Sequence, residues 1–250
     1  MMQKLLEKVV PVKAGEKGFY CTAVIPAAGQ SRRMGMGVNK LYLDLCGRSV
    51  LVRTLQVFED CPLVDEVVLV VNPEDIPYCA YEVVQTMDFK KVKRIVSGGE
   101  TRQESVYSGL KEVSPKSEIV VIHDGARPLV TTSILSECIK AGQDFKAVSA
   151  AVSVTDTIKT ADRNGFAVST LDRQTLWAVQ TPQVFWRDVI IKAHERAREE
   201  NISGLDDAAL VEHMGEKVKL VRGGYDNIKI TMPQDLVWAR AIILERGEGE

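Results

Sequence analysis

Two periods alternate along most of this chain. Residues 21–26 and 65–71 are near-continuous apolar runs, the pattern of strands buried on both faces of a parallel sheet. Residues 92–96, 118–122 and 146–152 read as further strands. Between them the spacing turns helical. Ser49 can cap a helix whose positions Val50, Leu51, Thr54, Leu55 and Phe58 share one face, with Pro62 just beyond its end. Residues 75–87 read as helix, and Thr101 followed by Glu104 is a capping box for a helix to about residue 113. Thr132 or Ser133 is placed to cap another, to about residue 141. Further helices are predicted over 186–200, 206–213 and 233–245, the last with Pro233 in its first turn. A strand over 217–221 and an extended segment over 227–231 precede that final helix. The alternation predicts an α/β fold, a Rossmann-like and mainly parallel sheet flanked by helices.

The rhythm breaks once. Residues 154–159 and 166–171 read as two strands joined around Asn164-Gly165, a strong hairpin-turn signal. The segment 153–180 has too little apolar surface for a core of its own, so it is expected to project as a β-hairpin arm. An arm of this kind either rests in solvent or packs on a second copy of the chain, which makes a homodimer the expected assembly. The organisation is therefore an N-terminal extension, 1–20, followed by one domain, 21–250, that carries the arm.

The first strand breaks into AAGQSRRMGMGVNK. Ala27, Ala28 and Gly29 let a ligand approach the backbone, and successive exposed N–H groups make a nest for an anion. Arg32, Arg33 and Lys40 add the charge that a polyphosphate would need. The spelling is not that of a P-loop, because Lys40 precedes Leu41, nor of a dinucleotide fingerprint, because only Gly29 stands where a first glycine would. In open α/β sheets, ligands sit beyond the carboxyl ends of the strands. Residues 27–40, 98–105, 123–128 and 227–231 all fall there. Asp124 could hold a hard cation or a ribose hydroxyl, or cap a turn. Arg127 suits a phosphate or a structural ion pair. Lys229, alone between Ile228 and Ile230, is read as a functional cation.

Composition narrows the class. A net charge of −2 argues against a dedicated nucleic-acid surface. Five scattered cysteines with no C-x-x-C pair suit a reducing cytoplasm better than a disulfide framework or a zinc site. The three histidines lack metal-ligand spacing, no apolar run is long enough for a bilayer, and residues 1–20 do not read as a signal peptide. No G-x-S-x-G elbow is present. Cations, one carboxylate and small residues suit phosphorus chemistry run by electrostatics.

Taken together, IPAAGQSRRMG, NKLY, GGETRQESVYSGL, HDGARPLV, VTDTIK, LWAVQTPQVF and DNIKITMPQDL resemble the 2-C-methyl-D-erythritol 4-phosphate cytidylyltransferase family from Cys21 onward. The resemblance implies a nucleotidyltransferase fold. It implies transfer of CMP from CTP to a methyl-branched tetritol phosphate, with Mg²⁺ and in a homodimer whose arms exchange. By the same resemblance Arg33, Lys40 and Lys229 are the catalytic cations, and Ala27, Ala28 and Gly29 belong to the nucleotide loop. Gly99, Glu100 and Ser105 would read cytosine, and Asp124 would lie near ribose and metal. Thr157 and Arg173 would hold the acceptor phosphate in the neighbouring subunit's site, joined by Arg127 and Thr181. Ser31, Asn39, Leu41, Gly125 and Leu205 depart from the family's usual residues without removing a proposed charge. Two other readings stay open on the residues: a ribitol 5-phosphate cytidylyltransferase, and a nucleotide-binding regulatory protein without catalysis.

Overall fold

Strands with apolar residues on both faces need a helical layer on each side, and the chain supplies both. The computed structural model describes residues 18–29 and 39–248. Strand β1 (Cys21–Pro26) enters the opening loop, and β2 (Asp44–Leu45) and β3 (Arg48–Ser49) form a tight hairpin. Helix α1 (Val50–Asp60) follows, with the Ser49 hydroxyl accepting from the Val52 N–H at 3.3 Å. Then come β4 (Glu66–Val71), the one-turn α2 (Ile76–Tyr78) continued by a π-helical run (Cys79–Gln85), and β5 (Val92–Ser97). Helix α3 (Arg102–Leu110) carries the complete capping box of Thr101 and Glu104. The middle of the chain holds β6 (Ile119–Ile122), α4 (Thr132–Asp144), β7 (Ala147–Ser153), β8 (Lys159–Ala161) and β9 (Ala167–Thr170). It closes with β10 (Trp177–Trp186), α5 (Arg187–Glu199), α6 (Asp207–His213), β11 (Lys219–Arg222) and α7 (Pro233–Glu245).

The main sheet has the order β11-β7-β10-β6-β1-β4-β5. Neighbours pair parallel except β10, which runs antiparallel to both β6 and β7. Alternate strand residues feed two separate cores, as a period of two demands. Ala23, Ile25, Leu69 and Val121 pack with Leu55, Phe58, Ile139 and Ile243 on one face. Val24, Val68, Val70 and Val120 pack with Val106, Leu110, Ile190 and Val211 on the other. From β1 the chain steps to β4 and β5, then returns to β6 on the opposite side of β1. The crevice between the carboxyl ends of β1 and β6 is therefore the topological switch point, where ligands bind in such sheets.

The helix expected from residue 186 is α5, but the strand before it is unexpected: residues 177–186 form a long strand whose register shifts between Val179 and Gln183, and Pro182 sits in that irregularity, where a missing N–H is tolerated. Three local expectations are corrected. Residues 227–231 are not a strand. The cap of α4 is Thr131, one residue early, with its hydroxyl accepting from the Ile134 N–H at 3.2 Å. Helix α3 stops at Leu110 because the chain must turn back into β6.

The projecting arm is the β8–β9 hairpin, a two-stranded sheet separate from the main one, with Gly165 at φ 86° in its turn. Its regular strands are shorter than the predicted 154–159 and 166–171. The arm is rooted in the outer ends of β7 and β10, where Trp177 pairs with Ser153 and Val179 with Ala151. Phe166 and Val168 are 72% and 69% exposed, more than their apolar character favours in water.

Helix α3 lies so close on the sheet that a Cβ on Gly109 would come within 2.5 Å of Val24 Cγ1 and 2.9 Å of Val70 Cγ2. Both valines are stiff and buried. Gly109→Ala is expected to lose about 1–2 kcal/mol, overpacking outweighing the gain in helix propensity. Urea unfolding checks this: an unchanged midpoint would mean that the helix can step back from the sheet.

Candidate active site

The crevice at the switch point encloses about 500 Å³. Ala27, Ala28 and Gly29 leave the end of β1 to form one wall, and Gly99, Glu100 and Ser105 line it from the end of β5 and the start of α3. The two walls approach closely, since a Cβ on Gly98 would lie 2.3 Å from Ala28 Cβ. Only glycine fits there. The Ser105 hydroxyl accepts from the Gly99 N–H at 3.1 Å and donates to the Thr101 carbonyl at 2.9 Å, so it shapes this turn from within.

Lys40, Asp124 and Lys229 line the same crevice. Lys40 sits in a short 3₁₀ turn (Lys40–Tyr42) whose cap is Asn39, accepting from the Leu41 N–H at 3.2 Å, while Leu41 is buried in the core. Two departures from the family's usual spelling thus act as a cap and an anchor for this lysine. Gly125, a third, follows Asp124 where a Cβ would approach Ala27 Cβ to 3.2 Å. Asp235, at the first turn of α7, accepts from the Thr231 and Met232 N–H groups at 2.6 and 2.8 Å. Burial would raise its carboxyl, but these donors, with the charge of Lys40, hold it below the usual range.

Lys229 arrives on an irregular loop. The Ile230 N–H donates to the Ala126 carbonyl at 2.8 Å, and Arg127 donates to the Asn227 carbonyl at 2.7 Å. Asn227 in turn donates to the Thr181 carbonyl at 2.8 Å, and the Thr181 hydroxyl accepts from the Asp124 N–H at 3.1 Å. Half-buried Arg127 and buried Thr181 do not line the crevice and tie its segments together from behind. Thr157 and Arg173 do not line this crevice; both are exposed on the arm, where Arg173 donates to the Thr155 carbonyl at 3.1 Å. Leu205 is 99% exposed. Arg33 and Ser31 fall outside the described residues, as do residues 1–17 of the N-terminal extension.

Asp124 is the electrostatic centre. Its Oδ2 lies 2.7 Å from Lys229 Nζ and its Oδ1 2.9 Å from Arg102 Nε, with Arg127 Nε at 3.9 Å. Burial favours the neutral acid, yet Arg102, Lys229 and Arg127 together keep the carboxyl well below the ordinary carboxylate range. Neighbouring His123 is fully buried, which lowers it to about 4 and leaves it neutral at physiological pH. Its Nε2 lies 3.1 Å from the Arg127 carbonyl, an acceptor, so this nitrogen carries the hydrogen.

Sequence reasoning passed over Arg102 although it follows the capping Thr101 directly; only the fold shows it lining the crevice against Asp124. Asn72 and Thr231, also on the crevice wall, carried no signal beyond their positions after a strand and before a helix.

A Rossmann-like sheet with a small-residue, lysine-bearing crevice at its switch point marks a nucleotidyltransferase. The family model for 2-C-methyl-D-erythritol 4-phosphate cytidylyltransferase matches residues 21–245. The chain is 50% identical over 222 residues to the enzyme of that name from Caldanaerobacter subterraneus, spanning 89% of this chain and 98% of the relative. The enzyme of the same name from Desulforamulus reducens is 46% identical over 224 residues, 90% of this chain and 96% of the relative. Among solved structures, the 4-diphosphocytidyl-2C-methyl-D-erythritol synthase of Anaerococcus prevotii superposes with a TM-score of 0.81 at 32% identity, covering 91% of this chain and 97% of that one. This chain belongs to the 2-C-methyl-D-erythritol 4-phosphate cytidylyltransferase family.

Asp124→Asn would leave Arg102, Lys229 and Arg127 facing one another without their shared anion. A loss of roughly 2–4 kcal/mol is expected, toward the lower side because Lys229 and Arg102 are partly solvated. The Asp124 carboxyl is lower in the folded protein than in the unfolded chain, so its stabilisation is full at neutral pH and fades as pH falls below about 4. Urea unfolding between pH 7 and pH 3 should therefore show a shallower acid decline in the variant. Parallel curves would remove Asp124 as the source.

Proposed function

We propose that this protein transfers the cytidylyl group of CTP to 2-C-methyl-D-erythritol 4-phosphate and releases pyrophosphate, a step of non-mevalonate isoprenoid precursor synthesis. The observation that carries the proposal is the meeting of Lys40, Lys229 and Asp124 with the Ala27–Gly29 backbone in one crevice, in a chain of this family. Ala27, Ala28 and Gly29 receive the triphosphate, and Gly99, Glu100 and Ser105 face the base. An acceptor phosphate oxygen bonds to the α-phosphorus as the bond from that phosphorus to the β-phosphate bridging oxygen breaks, and pyrophosphate leaves with the electron pair. A phosphate monoester has a second pKa near ~6, so it attacks as a dianion and no general base is needed. The barrier is repulsion between two polyanions, which Arg33, Lys40 and Lys229 offset while fixed geometry aligns the attack.

A divalent cation fits the donor set. Asp124 and Glu100 are the carboxylates on the crevice wall. That suits Mg²⁺, which binds through one or two carboxylates plus substrate phosphates. Asp124 would hold it with its remaining lone pairs, and the ion would neutralise charge on the phosphates.

The acceptor end of the reading rests on the arm. Thr157 and Arg173 are exposed there, and apolar Ile158, Phe166, Val168 and Leu171 leave the arm with a surface suited to a second copy of the chain. A homodimer with exchanged arms would bring Thr157 and Arg173 to the partner's crevice. A cytoplasmic setting agrees with five free cysteines, four of them buried. No helix among the described residues is long and apolar enough to cross a membrane.

Pyrophosphate release with Mg²⁺ and CTP tests the assignment when methylerythritol phosphate is compared with ribitol 5-phosphate. Preference for the pentitol would replace the acceptor, and no release from either would leave a binding protein. Lys40→Ala should lower turnover by ~10²–10³-fold with an unchanged melting temperature, the loss typical of one electrostatic contact in such sites. Near-normal turnover would take Lys40 out of the mechanism.

A further inference from the structure

Behind Arg102 the charge network continues into the core. While Nε of Arg102 meets Asp124 at 2.9 Å, its Nη1 lies 2.8 Å from Oδ2 of Asp207 in the first turn of α6. Asp207 is 1% exposed and does not line the crevice. Its other oxygen, Oδ1, lies 3.0 Å from Nε2 of His194, which is fully buried on α5. A carboxylate only accepts, so Nε2 carries the hydrogen. His194 in turn stacks on Tyr107 of α3, centroids 6.2 Å apart, and Arg198 covers Tyr107 at 4.4 Å.

A guanidinium bridging two buried carboxylates is held at both ends of its fork. Burial works against its charge, and Asp207 and Asp124 outweigh that effect. With Asp207 drawing on Nη1, Arg102 meets Asp124 through Nε alone, which leaves Oδ2 of Asp124 to Lys229. Without Asp207, the fork is free to close over both oxygens of Asp124 and displace Lys229. Gln103 ties the same turn of α3 to the segment that leads into α6, accepting from the Gly204 N–H and donating to the Ile202 carbonyl, each at 3.1 Å.

We infer that Asp207, fixed by His194, is a positioning residue for the nucleotide site: it acts through Arg102 to set the orientation of Asp124 and Lys229. The inference rests on reading the crevice as the CTP site. The test takes the full chain with Mg²⁺, measuring CTP binding by calorimetry and steady-state kinetics for wild type, Asp207→Asn and Arg102→Lys. Asp207→Asn should weaken CTP binding and raise its KM about tenfold, the KM for methylerythritol phosphate staying within about twofold. Arg102→Lys keeps the charge without the fork and should do the same. Asp207→Glu, which keeps the carboxylate, should recover part of the loss. A lowered melting temperature with CTP affinity unchanged would reduce Asp207 to a structural ion pair and overturn the inference. If Asp207→Asn does not fold, Arg102→Lys decides, and unchanged CTP affinity there overturns it. Wild-type protein that binds no CTP would instead reject the underlying reading of the crevice.

Discussion

A single buried carboxylate facing three cations sets the geometry of this molecule's working edge. An isolated buried charge is prohibitively costly, so Asp124 can exist at the end of β6 only because Arg102, Lys229 and Arg127 come to it from α3, the 227–231 loop and its own turn. Arg102 opens a regular helix, but the 227–231 loop and the 124–127 turn are irregular where they arrive. Those two are held to each other by the Ile230 N–H on the Ala126 carbonyl and the Arg127 side chain on the Asn227 carbonyl, and not by a shared ladder. The ion cluster and these tethers fasten the same segments.

Most of the fold can be read along the chain because buried strands and amphipathic helices carry distinct periods. Apolar β4 and β6 are unmistakable, and Ser49, Thr101 and Asp206 cap helices as their side chains predict. Strand β10 escapes because Pro182 argues against a central strand unless an irregularity absorbs it, and no residue pattern announces that irregularity. The 227–231 segment misleads in the opposite sense. Ile228 and Ile230 flank Lys229 as in a strand, but the Ile230 N–H donates to a turn at Ala126 and the Ile228 N–H to the nearby Asp226 carbonyl.

The site divides along the same line. Small residues after β1 and a cation in the loop are legible because chemistry of that kind demands those residue types in that order. Arg102 is not, since its meaning comes from Asp124 and Asp207, 22 and 105 positions away in sequence and joined only by folding. Arg127 and Thr181, residue types suited to a phosphate, also fasten the loops of the fold. Polar identity suggests what a side chain can do, and the surroundings select which capability is used.

Strand β10 joins these arrangements into one element. Its outer end, at Trp177, is the root of the arm; its middle, at Thr181, holds the backbone of Asp124; and Gln183 grips the start of α6 through Asp206. Arm root and the contact to Asp124 are thus four residues apart on one strand, across the point where its register begins to shift. Within seven residues a single strand therefore carries the base of the arm, a tether to the charge cluster and a grip on α6, so the three cannot be placed independently of one another.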